Sequence, residues 1–196
     1  IPAVGVKYYL HFTTEDYISG QNAGSCVATV LYLKNSRPAV NIKCLHTKDQ
    51  NQIQDEDNRF HQQLRQQTKP IIANDIPDSH GNIDRALIPV WGLAVAGSSY
   101  VMFEKSTENL GYFMAQVKAV KQRIRKDNAA EFEFAVLLHE TPTQKIDLCH
   151  IHVIWTLGHP LRVKYICASE NHRLEDGSGM ESGSASGILH EREGNF

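Results

Sequence analysis

The sequence predicts an α+β protein in which a helix packs on antiparallel sheet and one structural unit occurs twice. Two segments, Cys26 to Cys44 and Cys149 to Cys167, each contain a β-rich run, a turn with proline and a second β-rich run between cysteines. The uncharged segment 86–103 has apolar residues at helical spacing. The segments after it alternate apolar and polar residues, as half-buried strands do. The repeated unit is therefore a half-buried antiparallel hairpin.

The cysteines have the same spacing, 18 residues, in both units, and a turn signal lies midway between them. Each cysteine therefore faces its partner across two strands. Four cysteines allow three pairings. The symmetry favours the disulfides Cys26–Cys44 and Cys149–Cys167, each contributing about 3 kcal/mol, with four buried free thiols as the alternative. Disulfides indicate an oxidising compartment.

Composition narrows the class of protein. The chain has 196 residues, enough for one large or two small domains, and its net charge of −2 does not suggest a nucleic-acid partner. The uncharged segment 86–103 is at the lower length limit for a membrane span. Its Pro89, glycines and serines favour instead a core helix wrapped by a sheet. The chain begins at Ile1 without a signal peptide, which a processed or truncated N-terminus would explain.

The order of elements predicts four regions. Residues 1–47 form three strands of a partial repeat, and 48–76 form a connecting helix and linker. Residues 77–168 form a complete repeat, one helix followed by four antiparallel strands, and 169–196 form a disordered tail rich in Gly, Ser and Glu. The offset between the cysteine pairs places the N-terminal helix and strand of the first repeat before Ile1. The alternative, an asymmetric first domain, would leave an exposed sheet edge.

A helix wrapped by an antiparallel sheet, with a disulfide in the last hairpin, resembles the cystatin fold. Two such units joined by a helical linker resemble the latexin family. The resemblance runs from about Lys7 to Cys167 and rests on IPDSHGNID, GSSYVMFEKSTE, QVKAVKQRIRKDN and AVLLHETPTQ. The tail and the stretch QNAGSCVATVLYLK look most like the eggshell-matrix (ovocalyxin-type) branch, itself similar to retinoid-responsive members.

The family resemblance implies tandem cystatin-like domains and a secreted inhibitor, not an enzyme, with no cofactor of its own. It implies that a loop of the second domain caps the active-site funnel of a zinc metallocarboxypeptidase of the A type, with a glutamine reaching deepest. The matching loop consists of His139, Glu140, Thr141, Pro142, Thr143 and Gln144.

Gln144 is the residue that matches the deepest-reaching glutamine. Pro142 stiffens the loop, which lowers the ordering cost of binding. A neutral amide can approach a metal or its bound water without adding charge. The alternative interpretation of Gln144 is a polar turn residue. Lys145 and Asp147 stand where the family is more apolar, so the loop tip is expected to be more solvated.

Other activities fit the sequence less well. Cystatins inhibit cysteine proteases through Gln-x-Val-x-Gly at a hairpin tip, but the segment 116–120 lacks the glycine and lies mid-strand. The His-Glu pair at 139–140 lacks the second histidine of a zinc-peptidase motif. His150 and His152 could place two imidazoles on one face of a strand, as in metal sites. Hairpin pairing, however, places His152 opposite Lys164, a cation that would repel a metal. Both histidines are therefore expected at the surface.

The remaining alternative is an extracellular, eggshell-type matrix protein, structural or antimicrobial, without peptidase inhibition. The acidic tracts of the chain, at 55–57 and 175–176, are short, so its binding to mineral would be weak or indirect. The resemblance implies secretion into extracellular matrix, with a peptidase or matrix components as partners. The charge and composition predict no nucleic-acid partner and no membrane span.

Overall fold

The computed structural model describes residues 5–16, 19–34, 36–171 and 192–193. The described residues form two antiparallel sheets. The strands are β1 Gly5–Glu15, β2 Asn22–Leu33, β3 Ala39–His46, β4 Ile72–Ile76, β5 Tyr112–Arg123, β6 Ala130–Glu140, β7 Ile146–Trp155, β8 Arg162–Cys167 and β9 Arg192–Glu193. The helices are α1 Gln50–Gln66, α2 Ile88–Lys105 and the short α3 Ala168–Asn171, and a 3-10 turn, Arg85–Leu87, precedes α2.

The first sheet has the order β1-β2-β3. Cys26 faces Cys44 across β2 and β3, and the two form a disulfide, as the spacing predicts. The sheet face that carries this disulfide is apolar, and no helix of the described residues packs across it. Its exposed members on the edge strand β1 are Val6, Tyr8, Leu10 and Phe12. That a helix of the repeat belongs on this face stays a prediction.

The second sheet has the order β4-β5-β6-β7-β8-β9. Helix α2 is followed by four antiparallel strands, and the disulfide Cys149–Cys167 joins β7 and β8, as predicted. That this unit is a repeat of the first one stays a prediction. Strand β4 was not predicted. Its Asn74 and Asp75 have low strand propensity, and only the ladder with β5 makes the segment a strand.

Helix α2 lies on the inner face of this sheet. Pro89 occupies its first turn, where the missing N–H costs nothing. Length and composition alone would let Arg85–Lys105 cross a membrane. One stripe of α2 is nevertheless buried in the core, as the sequence predicts for a core helix. The stripe consists of Val90, Trp91, Ala94, Gly97, Ser98 and Val101.

Gly97 allows the close approach of helix and sheet, because a Cβ there would lie 2.9 Å from Cγ2 of Val153. Aromatic and aliphatic side chains of the sheet complete the core. They include Phe132, Phe134, Val136, Ile151 and Val153.

Helix α1 lies in the predicted connecting region and begins at a capping box formed by Asp49 and Gln52. Its Phe60 ring stacks on Trp155 of β7 with 5.5 Å between centroids. A further contact joins the first sheet to the helix that covers the second sheet. Arg37, in the turn after β2, forms an ion pair with Glu104 of α2.

Part of the predicted disordered tail is described. Ser169 lies in α3, and the backbone of β9 pairs with β8. The other residues of that region, 172–191 and 194–196, lie outside the described residues.

Candidate functional site

The six residues of the predicted inhibitory loop lie together at the β6–β7 turn. His139 and Glu140 end β6, and residues 141–146 are exposed. The backbone N–H of Glu140 donates to the carbonyl of Lys145 over 2.8 Å and closes the hairpin. The N–H of Thr141 donates to the carbonyl of Gly111, just before β5, over 2.9 Å. The loop therefore projects from the sheet on a fixed base.

Gln144 has an uncommon backbone conformation for a residue with a side chain. Its φ of 58° lies in the left-handed region. The N–H of Gln144 donates to the carbonyl of Glu140 over 3.0 Å, which fixes this turn. Its side-chain Nε2 donates to the carbonyl of Thr141 over 2.8 Å, while Oε1 accepts no hydrogen bond from any residue that the structure describes. One amide oxygen is therefore available at the tip of a held loop.

Glu140 anchors the loop from below. The hydroxyl of Tyr112 donates to one carboxylate oxygen over 3.1 Å, and the hydroxyl of Thr143 donates to the other. Tyr112 and Glu140 face each other in the β5–β6 register. A carboxylate bound on both oxygens restricts the loop, so part of the ordering cost of binding is already met before a partner arrives.

Asp147 is buried, which corrects the expectation of a more solvated tip at this position. Its side chain is 9% exposed and lies 3.0 Å from Nζ of Lys105. The backbone N–H of Ser169 donates to Oδ1 over 3.0 Å, and its hydroxyl donates to Oδ2. Burial raises the pKa of the Asp147 carboxyl, but the hydrogen bonds from Ser169 and Lys105 outweigh it and hold the pKa below its ordinary value. Lys145 is exposed, as expected.

His139 is part of the sheet rather than of the loop tip. Its ring meets the Phe113 ring edge-on with 4.6 Å between centroids. Its Nδ1 is buried and has no hydrogen-bond partner among the residues that the structure describes.

The other two candidate histidines, His150 and His152, lie on β7. His152 faces Lys164 in the β7–β8 register, as predicted, and its Nε2 lies 2.8 Å from Oε1 of Glu131. His150 is exposed, whereas His152 is partly buried. Burial raises the pKa of the Glu131 carboxyl, but the hydrogen bonds from Arg125 and His152 outweigh burial. The pKa therefore lies below its ordinary value. These contacts of Glu131 link β6, β7 and the segment after β5 on the outer face of the sheet.

One group of potential ligand atoms in the described part of the chain is close enough to hold a metal: Asp147, Cys149 and Cys167. The two sulfurs are joined in a disulfide and cannot bind as thiolates. The segment 116–120 lies within β5, away from the turn after it, so the cystatin-type protease contact is not presented.

The architecture is α+β, with two antiparallel sheets and a helix packed on the sheet that carries Cys149–Cys167, and it is consistent with a cystatin-like fold. The sequence matches the family described as Latexin over residues 1–173, and the chain belongs to this family.

Three relatives are similar to this chain over most of its length. The chain is 61% identical to ovocalyxin-32 of Gallus gallus over 196 residues, which is 100% of this chain and 71% of the relative. It is 39% identical to human retinoic acid receptor responder protein 1 over 94% of this chain and 65% of the relative. It is 36% identical to mouse latexin over 84% of this chain and 75% of the relative.

The candidate loop comes from the family resemblance, and sequence reasoning missed the residues that hold it in the structure. Counting residues from the β5–β6 turn would not have found Tyr112, because the register shifts between Met114 and Gln116 and again between Val117 and Ala119. The contact of Asp147 with Lys105 and Ser169 had no local signal, because neither partner lies near Asp147 in sequence.

Proposed function

We propose that this protein is a secreted inhibitor of zinc metallocarboxypeptidases of the A type, with the loop 139–144 seated in the entrance of the active site. Membership of the latexin family supports the proposal. The single observation that carries it is Gln144, whose amide oxygen is available at the tip of an exposed hairpin loop.

The chemistry suits a zinc-containing cleft. An amide oxygen is a neutral acceptor that can meet a metal or its bound water without adding a charge to be desolvated. The bonds that Glu140 receives from Tyr112 and Thr143 hold the loop base, so little freedom is lost on binding. The protein supplies a fitted surface and no reacting group, and it acts by excluding substrate.

The experiment is a steady-state assay of a carboxypeptidase A-type enzyme, titrated with the wild-type chain and with Gln144→Ala. We expect tight inhibition by the wild type and inhibition about tenfold weaker or more for the variant. The matched control is Gln62→Ala, because Gln62 is an exposed glutamine of α1 far from the loop in sequence. Inhibition unaffected by Gln144→Ala would reject the loop, and no inhibition by the folded, disulfide-intact protein would reject the function.

A second candidate is an extracellular matrix role of the eggshell type, structural or antimicrobial, without peptidase inhibition. The identity to ovocalyxin-32, 61%, is well above the 36% to mouse latexin, and this difference favours it. The same assay separates the two, because a matrix protein without inhibitory activity would leave the peptidase rate unchanged at every concentration.

A further inference from the structure

At the loop end of the second sheet, the alternation of β7 is inverted. In a sheet with one covered face, apolar side chains point inward and polar ones outward. Ile146 and Leu148 point outward and are 55% and 37% exposed, whereas Asp147 between them points inward and is 8% exposed. The next inward residue is Cys149, which is fully buried. The inversion covers the first residues after the loop.

The inversion is held by the buried carboxylate. Asp147 is bound by Lys105 at 3.0 Å and by the backbone N–H of Ser169 at 3.0 Å. Moving β7 by one residue would bury the two apolar side chains, but it would also break these bonds and the register of the disulfide. The outward position of Ile146 and Leu148 is therefore specified by the fold rather than left over from loose packing.

The exposed apolar side chains form one surface with residues of the two neighbouring strands. Phe113 faces His139 across β5 and β6, and His139 faces Ile146 across β6 and β7. Leu148 faces Leu137, which completes a second row. Phe113 is 48% exposed. We name this surface the loop-flanking patch, formed by Phe113, Leu137, His139, Ile146 and Leu148.

The patch is continuous with the candidate loop. His139 directly precedes Glu140, and Ile146 directly follows Lys145, so both chain ends of the loop begin in the patch. Single exposed apolar residues are ordinary on a protein surface, but a contiguous group marks an interaction surface. The patch contains no carboxylate or ammonium group, so it matches an apolar partner surface. A charged partner surface would lose its hydration on this patch without gaining a pairing group, which is unfavourable.

We propose that the loop-flanking patch is the second half of the docking surface and contacts an apolar rim beside the active-site entrance of the peptidase. This inference rests on the proposed function, in which the loop 139–144 enters that site. Gln144 approaches the metal, and Phe113 and Ile146 supply the apolar contact that keeps the complex together. Because the patch is held by β5, β6 and β7, it binds without reordering.

The test uses Phe113→Thr and Ile146→Thr, since threonine keeps strand propensity and removes the apolar contact. The control is Ile72→Thr, because Ile72 is an exposed isoleucine on β4 of the same sheet. Binding to immobilised carboxypeptidase A gives association and dissociation rates, and the inhibition assay runs in parallel. We expect each patch variant to bind about tenfold more weakly, mainly through faster dissociation, with Ile72→Thr unchanged. Thermal unfolding verifies that the variants are folded.

The outcomes separate this inference from the proposed function. If the wild type inhibits and Gln144→Ala weakens it while both patch variants match the control, the inference is overturned and the function stands. If the wild type binds the peptidase without inhibiting it and the patch variants lose binding, the patch stands and the inhibitory function falls. Absence of binding overturns both. A concentration-dependent dimer that Ile146→Thr abolishes would assign the patch to a second copy and overturn the inference.

Discussion

Nζ of Lys105, at the C-terminal end of α2, lies 3.0 Å from Oδ2 of Asp147 in β7, and the two side chains are 11% and 9% exposed. The contact joins the core helix to the strand that leaves the candidate loop. Ser169 in α3 adds a hydrogen bond from its hydroxyl to the same carboxylate. The loop end of the second sheet is therefore held by a buried charged contact in addition to apolar packing, which includes the fully buried Leu138 opposite Asp147.

We expect Lys105→Met to lower the free energy of unfolding by about 3 kcal/mol, because it leaves the buried carboxylate of Asp147 without its cation. The matched control is Lys118→Met. Lys118 pairs with Asp75 at the surface, where both side chains are about half exposed, so its loss is expected to cost less than about 1 kcal/mol. Urea unfolding measures both.

The double variant Lys105→Met/Asp147→Leu sharpens this prediction. Replacing a whole buried pair by apolar side chains is less damaging than removing one partner. It should therefore be more stable than Lys105→Met alone. Equal losses for Lys105→Met and Lys118→Met would contradict the buried pair.

The pH dependence of stability should carry the signature of Asp147. Burial raises the pKa of its carboxyl, but the hydrogen bonds from Ser169 and Lys105 lower it below the ordinary value. A folded-state pKa below the unfolded value of about 3.9 means that the stabilisation is present above that pH. It is lost as the pH falls through the folded-state pKa.

Asp147→Asn lacks this titration, so the stability gap between wild type and variant should be full near neutral pH and narrow steadily below about pH 4. Urea unfolding of both proteins along a pH series measures the gap. The lowered pKa of Glu131 affects both proteins alike and cancels in the difference. A gap that stays constant down to the acid end of the series would show that Asp147 does not titrate in this way.

The parts of the fold that could be predicted are those whose signal is local. Each hairpin is centred on its own turn, so equal spacing from the turn placed Cys26 opposite Cys44 and Cys149 opposite Cys167. Helical spacing of apolar residues located α2, because a helix that covers a sheet needs one continuous apolar stripe. The loop 139–144 followed from the family resemblance, and its place at a hairpin turn agrees with the strands around it.

The parts that could not be predicted depend on distant partners. Asp147 looks like a solvated residue after a turn, and only Lys105 and Ser169 make its burial possible. The same contact turns Ile146 outward, against the alternation that a strand of this sheet would show by itself. Strand β4 likewise depends on β5, since a five-residue segment with Asn74 and Asp75 in it forms a strand only where an edge is available to pair with.

The two disulfides should differ in their resistance to reduction. Cys149 and Cys167 are fully buried beneath α2, whereas Cys44 is partly exposed on the face of the first sheet. Thiolate attack needs access to a sulfur, so mild dithiothreitol should reduce Cys26–Cys44 first. Timed alkylation followed by peptide mass spectrometry identifies which cysteines are released. Release of Cys149 and Cys167 before Cys26 and Cys44 would contradict the packing of α2 on the second sheet.

The left-handed backbone of Gln144 can be separated from the role of its side chain by comparing two substitutions. Glycine adopts a φ of 58° freely, whereas alanine carries the same steric penalty as glutamine, and both lose the hydrogen bond to Thr141. Gln144→Gly should therefore be more stable than Gln144→Ala by about 1 kcal/mol in urea unfolding. At Thr143, where φ is not positive, the order should reverse, with the alanine variant the more stable.

Both Gln144 variants should inhibit a carboxypeptidase equally poorly, because both lack the amide. A glycine variant that inhibits as well as the wild type would show that the shape of the loop, and not the glutamine amide, makes the contact.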